Sequence, residues 1–200
     1  MLKNEYHHGN LKEEFLNIAF DFIAKNDVDK LTLKILSDAT GTSRSAIYKH
    51  FKSKDALIEK IIEYGFEIFD EKTTLILNDK TIPLLDRFYQ SGKLYISFAK
   101  QNPNLYRLLF GKKYAYIREE IMSIKDADCS GFSSLELAVK EAQEMGMFKV
   151  DDAYEQTIII WASLHGLASL VIDGFMDVDE IYETLYERMF KHLIESLKVF

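Results

Sequence analysis

Only two prolines, Pro83 and Pro103, and nine glycines punctuate this 200-residue chain, a scarcity that suits long helices and suits strands and tight turns poorly. The apolar residues agree. Leu11, Phe15, Ile18 and Phe22 follow one another at steps of four, three and four, which keeps them on one helical face. Asn10 with Glu13 forms a capping box ahead of them, so a first helix is expected from about Leu11 to Lys25, broken by Asn26-Asp27. Thr32 can cap a short helix over Leu33–Thr40, and Gly41 supplies the positive φ of a tight turn. Ser43 caps a third helix from Arg44 to about Phe51. Ser53 caps a long fourth one to about Leu77, with Ile61, Ile62, Phe66 and Phe69 as its apolar stripe.

Further helices are expected from Pro83 to Gln101, over Leu105–Phe110 after an interruption at Asn102-Pro103-Asn104, over Tyr114–Lys125, and over Ser134–Met145 after a loop around Asp128–Phe132. Capping boxes at Asp152/Glu155 and Asp177/Glu180 open the last two, ending near Gly174 and Lys198. No strand pattern of useful length and no internal repeat is present. The expected fold is all-α: a three-helix unit with a helix-turn-helix over about 31–50 inside residues 1–53, joined by the long helix to a helical domain over 54–200.

Nearly half of the residues are hydrophobic, enough for a buried core and too many for disorder. A lone cysteine, Cys129, excludes an internal disulfide framework, and no Cys/His spacing suggests zinc. No metal or cofactor is expected. The polar N-terminus lacks the apolar run of a signal peptide, so a cytoplasmic location is expected. The uncharged stretch Gln156–Ile172 falls just short of a membrane span and is read as a buried helix, with no membrane partner. Net charge is −7, yet Lys30–Lys60 carries seven Lys/Arg against three Asp/Glu. Met1–Gly65 holds ten of each sign, so the whole excess of acid lies in Phe66–Phe200. A basic patch on a small head can hold phosphates while an acidic body discourages stray contacts.

Two short helices joined by a glycine turn are what major-groove readers use, the second lying in the groove and the first bracing against the backbone. Arg44 and Ser45 fall on the first turn of that second helix, where an arginine can pair bidentately with guanine. Thr32, Tyr48, Lys49, His50, Lys52 and Lys54 offer donors for phosphate oxygens, and the N-terminus of the fourth helix adds a backbone anion site. The pattern Thr32-x3-Leu36…Gly41-x-Ser43-x4-Tyr48-Lys49-His50-Phe51-x-Ser53-Lys54-x2-Leu57 resembles the DNA-binding domain of the TetR family of transcriptional regulators. Tyr6-His7-His8-Gly9-Asn10-Leu11 resembles the opening of many members. Three positions depart: Ser37 and Thr40 stand where alanines are usual, and Thr42, where valine is usual, becomes a possible DNA contact beside Ser43.

In the helix Asp152–Gly174, Trp161, His165, Ala168 and Ile172 share one stripe, and Ala162, Gly166 and Ser169 a second. Small residues let another helix approach closely. The Trp/His stripe can line a cavity. Trp161-x3-His165-Gly166, with Asn102-Pro103 and Tyr106-x2-Leu109-Phe110-Gly111 upstream, resembles the WHG type of TetR C-terminal domain. That resemblance implies a homodimer built on the last two helices of each chain, here through Ala162, Gly166, Ser169, Tyr182, Leu185 and Met189. It also implies an effector pocket, with Tyr95, Phe98, Tyr106, Phe110, Met122, Phe132, Trp161 and His165 as candidates. The apolar faces carry no charged cluster, so an apolar or aromatic effector is preferred. The function implied is a dimeric regulator that grips double-stranded operator DNA and releases it on binding a small molecule. No Ser/His/Asp order, paired-carboxylate site or phosphate loop points to an enzyme, and His7-His8 reads as part of a flexible arm. The alternative is a helical interaction module that has lost DNA binding.

Overall fold

The computed structural model describes residues 11–124, 131–175 and 178–199, with side chains over 11–119, 131–175 and 181–199. Among the described residues ten α-helices follow one another: α1 (Leu11–Lys25), α2 (Leu33–Thr40), α3 (Arg44–His50), α4 (Lys54–Asn78), α5 (Leu84–Gln101), α6 (Pro103–Phe110), α7 (Ala115–Ile124), α8 (Gly131–Glu144), α9 (Ala153–Ile172) and α10 (Val178–Leu197). Among the described residues there is no strand, only one isolated bridge between Phe148 and Lys198. The caps sit where hydroxyls and carboxylates foretold them. Thr32, Ser43 and Ser53 each accept from the backbone N–H three residues on, and Asp152 accepts from both Tyr154 and Glu155. The expected boxes at Asn10/Glu13 and Asp177/Glu180 lie partly outside the described residues, as does most of the Asp128–Phe132 loop.

Two boundaries differ from expectation. The interruption at Asn102-Pro103-Asn104 shrinks to Asn102 alone, because Pro103 begins α6, where a missing N–H costs nothing and a fixed φ is already helical. The eighth helix starts at Gly131 rather than Ser134. A Cβ there would stand 2.8 Å from Asp70 Oδ1, so any other residue would have to turn that carboxylate aside.

Apolar residues gather into two cores. The first joins Phe15, Ala19 and Ile23 of α1, Leu36, Ile47 and Phe51 of the α2–α3 region, and Leu57, Ile58, Ile61, Ile62 and Phe66 of α4. Leu105, Leu108 and Leu109 of α6, with Tyr114 and Ile117, complete it. The head is therefore closed by residues far beyond position 53. The second core packs α4, α5, α8, α9 and α10 through Phe69, Phe88, Tyr95, Val139, Leu164, Ala168 and Tyr186 among others. Phe110 packs against both. Helix α9 is long and apolar enough to cross a membrane, but Gln156, Thr157, Ile160, Leu164, Leu167, Ala168 and Val171 are buried within this bundle.

A buried arginine locks the bundle's far end. Arg87, 3% exposed, donates from Nη1 to Leu77 O at 2.8 Å and to Glu141 Oε2 at 3.0 Å, and from Nη2 to Glu141 Oε1 at 2.6 Å. This fork ties α4 and α5 to α8. Hydrogen bonding from Arg87, opposed by partial burial and reinforced by Lys80, holds Glu141 down at a pKa of about 2.

Candidate nucleic-acid interface and internal cavity

The turn between α2 and α3 is built from hydroxyls. Gly41 takes φ 65 and ψ 20, a conformation that side chains with a Cβ resist. Ser37 Oγ donates to Lys34 O at 2.9 Å and Thr40 Oγ1 to Leu36 O at 2.9 Å, while the Thr40 and Thr42 hydroxyls bond at 2.8 Å. The three positions that depart from the usual alanines and valine thus replace apolar packing with a local hydrogen-bond ladder. Thr42 spends its hydroxyl inside the turn. Ser43 caps α3 while bonding Ser45 Oγ at 2.7 Å.

Ile47 is fully buried and fixes the roll of α3. Arg44, Ser45, Tyr48 and Lys49, spaced one turn apart in pairs, consequently face solvent together with His50. Tyr48 is 56% exposed. The His50 ring meets the edge of Phe15 at 6.0 Å between centroids. Thr32 is exposed beside this surface, with its hydroxyl engaged as the α2 cap. Lys54 is placed differently from a free phosphate contact: its Nζ donates to Val28 O at 3.1 Å and Asp29 O at 3.3 Å, and Asp29 also pairs with Lys113. Lys54 thus ties the start of α4 to the segment ahead of α2, and Lys113 braces that segment against the α6–α7 turn. The N-terminus of α4 is capped by Ser53 and lies beside exposed Lys52.

The second feature is a cavity of about 1050 Å³ between α4, α5, α8, α9 and α10. Tyr95, Phe110, Phe132 and Trp161 of the expected set lie in its wall. Phe98, Tyr106 and His165 stand behind it, and the side chain of Met122 lies outside the described residues. Stripe analysis missed Phe66, Phe69, Thr73, Ser91, Tyr186 and Phe190, which also line it. Their signal, the continued apolar stripe of α4 and the aromatics of α10, reads equally well as core. Met189, expected on the dimer face, lines this cavity instead. Glu67, Asp70 and Glu71 are the only charged residues among the described lining, all on α4.

Behind the wall, three polar rings meet. Tyr106 Oη lies 2.6 Å from His165 Nδ1 and 3.0 Å from Tyr95 Oη, which is 3.2 Å from the same nitrogen. Burial pushes the Tyr95 hydroxyl far above the ordinary tyrosine range and Tyr106 up to about 12. Burial, with the Arg118 cation second, pushes His165 below the usual imidazole value. Both hydroxyls therefore stay protonated at neutral pH, and the three groups form one hydrogen-bonded cluster. The Trp161 ring lies 5.5 Å from that of His165.

One face of α9 is uncovered. Ile158, Ile159 and Leu170 are 38%, 51% and 44% exposed, with Ala162 and Gly166 between them and Ser169 half-buried. On α10, Ile181 is 45% exposed and Leu185 half-buried, whereas Tyr182 turns toward α5 beneath Lys100, whose Nζ is 4.4 Å from the ring centre.

Residues 15–61 match the model of bacterial regulatory proteins of the tetR family, and residues 88–193 match the tetracyclin repressor-like C-terminal domain. A stretch of 115 residues is 30% identical to the nucleoid occlusion factor SlmA of Aliivibrio fischeri, covering 57% of this chain and 58% of that protein. The chain thus spans little more than half the length of this relative. Among solved structures, a protein of unknown function from Rhodococcus sp. RHA1 superimposes with a TM-score of 0.80 at 23% identity, covering 98% of this chain and all of that one. A TetR-family transcriptional regulator from Pectobacterium atrosepticum does so with a TM-score of 0.71 at 16% identity, covering 94% of both chains. Those likenesses share the fold. The two family models together take in the helix-turn-helix head and more than half of the chain beyond it, and the chain belongs to the TetR family of DNA-binding transcriptional regulators.

Proposed function

We propose that this protein is a dimeric repressor that reads a palindromic operator through α3 and lets go when an apolar or aromatic small molecule enters the cavity. The observation that carries the reading is shared packing: Phe66 belongs to the core of the head and lines the cavity, and Phe110 packs against both cores. A molecule that reshapes the cavity therefore acts on residues that also hold the head. If it binds best when the two heads are wrongly spaced, it drains the DNA-competent population. A palindrome demands recognition helices about 34–36 Å apart.

In this reading Arg44 contacts a base edge, Ser43, Ser45, Tyr48, Lys49 and His50 contact bases or backbone, and Thr32 and the N-terminus of α4 hold phosphates. Thr42 and Lys54 serve mainly to set the geometry of the head. The dimer forms on Ala162, Gly166 and Ser169 with Leu185. Tyr182 and Met189, turned inward, influence it through α10. The lining favours a ligand without negative charge: its described residues include three carboxylates and ten aromatic rings, with no Lys or Arg. The protein works by binding rather than catalysis, on chromosomal DNA in the cytoplasm. The test is selection of genomic fragments by the purified dimer at moderate salt. A recovered palindrome supports the reading, and a folded dimer that enriches nothing over random DNA refutes it.

A further inference from the structure

Helix α6 has two faces with different allegiances. Leu105, Leu108 and Leu109 are buried in the core of the head, while Tyr106 and Phe110, one turn apart, face the cavity side. The leucine face sits without slack on α4: a Cβ at Gly65 would lie 2.9 Å from Leu109 Cδ2. Other contacts tie α6 at its ends, Arg107 to Ile172 O at 2.5 Å and Arg118 to Leu109 O at 2.8 Å. Towards the cavity, by contrast, the polar hold on α6 is concentrated in the hydroxyl of Tyr106, bonded to Tyr95 of α5 and His165 of α9. Its ring also lies 5.6 Å from that of His165, stacked at 25°.

The cluster reaches the cavity at two rings. Trp161 and Tyr95 are both cavity wall: Tyr95 bonds Tyr106, Tyr106 bonds His165, and the His165 ring lies 5.5 Å from that of Trp161. A molecule that displaces either wall ring must stretch this chain. A hydrogen bond weakens steeply once its geometry is disturbed, so displacement of either ring is felt at the Tyr106 hydroxyl. We propose that Tyr106 is the positioning residue through which occupancy of the cavity is passed to α6, and so to the core of the DNA-binding head. This rests on the reading of the cavity as the effector site. The aromatic contacts of Phe110 with Phe66 and Phe69, at 5.6 and 5.9 Å, keep α6 seated when the hydroxyl is removed. Tyr106→Phe is therefore a folded protein that has lost the connection.

The experiment uses the full-length dimer and Nile red, an uncharged aromatic dye that suits the apolar wall. Trp161, the single tryptophan, lies in that wall and reports dye binding by quenching. Amide hydrogen exchange over Leu105–Phe110 is then measured with and without dye in wild type, Tyr106→Phe and Tyr95→Phe. Wild type is expected to change exchange in α6 by threefold or more on binding. Tyr106→Phe, which stands outside the wall, is expected to bind dye within about twofold of wild type and leave α6 unchanged; Tyr95→Phe, whose ring is itself wall, is compared at dye concentrations that saturate it and is expected to leave α6 unchanged as well. A variant response equal to wild type overturns the proposal, and so does a wild type that binds dye without any change in α6. Absence of quenching in wild type would instead remove the effector-site reading and this inference with it. A purely structural Tyr106 would lower thermal stability without abolishing the response, and Tyr95→Phe, which leaves Tyr106 on His165, separates the two.

Discussion

Gly92 offers a quantitative trial of how α10 is seated on the bundle. A Cβ added there would lie 2.5 Å from Tyr186 Oη, 3.0 Å from Leu164 Cδ2 and 3.2 Å from Tyr186 Cε2. The hydroxyl cannot swing aside freely. It donates to Tyr89 O at 2.5 Å, and Tyr186 is 3% exposed, its ring between those of Tyr89 and Phe190. Gly92→Ala must separate α5 and α10 locally by roughly 1 Å to restore van der Waals contact. Overpacking of this kind costs about 1–3 kcal/mol, and the strained hydrogen bond adds about 1 kcal/mol. Replacing glycine in a helix interior returns about 1 kcal/mol. The net expectation is destabilisation by about 1–3 kcal/mol. Tyr186→Phe alone should cost about 1 kcal/mol for the hydrogen bond. In that background the nearest obstacle is gone, the remaining contacts are tolerable, and Gly92→Ala should be nearly neutral. The double-mutant cycle in urea, followed by Trp161 fluorescence at fixed protein concentration, should therefore give a coupling of about 1–2 kcal/mol. Equal costs for Gly92→Ala in both backgrounds would refute the packing argument.

The other predictions follow from the same geometry. Arg44→Ala should lose about 1–3 kcal/mol on the operator and relax preference at one base pair, measured by anisotropy against single-base variants; equal losses on random DNA would remove Arg44 from base readout. A Cβ at Gly166 meets no atom within 4 Å in the single chain, so Gly166→Glu should leave the fold intact while sedimentation shows a monomer. An unchanged dimer would move the interface elsewhere. Glu141, held at about 2 in the folded chain against an ordinary 4.5, stabilises the protein fully above the higher value and loses that contribution as pH falls toward the lower. Urea midpoints between pH 5 and 2 should accordingly fall less steeply in Glu141→Gln than in wild type; parallel curves would contradict the assignment.

The helices were legible because their beginnings are local chemistry: a Thr, Ser or Asp ahead of an apolar run accepts from the next turn whatever the tertiary fold. Thr32, Ser43, Ser53 and Asp152 show this. Pro103 misled because the same residue ends one helix and suits the first turn of another. Site geometry was legible where a face is set by one buried neighbour, as Ile47 sets the outward side of α3. It failed where a long side chain chooses between distant partners. Lys54 sits at a helix N-terminus, the usual place to meet a phosphate, yet bonds carbonyls more than twenty residues earlier in the chain. Stripes say which residues travel together, and not which neighbour they meet. Hence Met189 was placed on the dimer side although it lines the cavity, and Tyr106 and His165 were placed in the pocket although they stand behind Tyr95 and Trp161. The departures at Ser37, Thr40 and Thr42 acquire a reason only when their hydroxyls are seen to bond within the turn.

In the proposed mechanism the cavity and the DNA-reading surface oppose one another through a shared core. Linkage makes that directly measurable, because a molecule that weakens operator binding by some factor must itself be weakened by operator by the same factor. We would titrate Nile red into the dimer with and without a saturating operator fragment, and titrate operator with and without saturating dye. The account predicts two equal factors, each well above one and in the weakening direction. Two affinities that ignore each other, from a protein that binds both molecules, would contradict it.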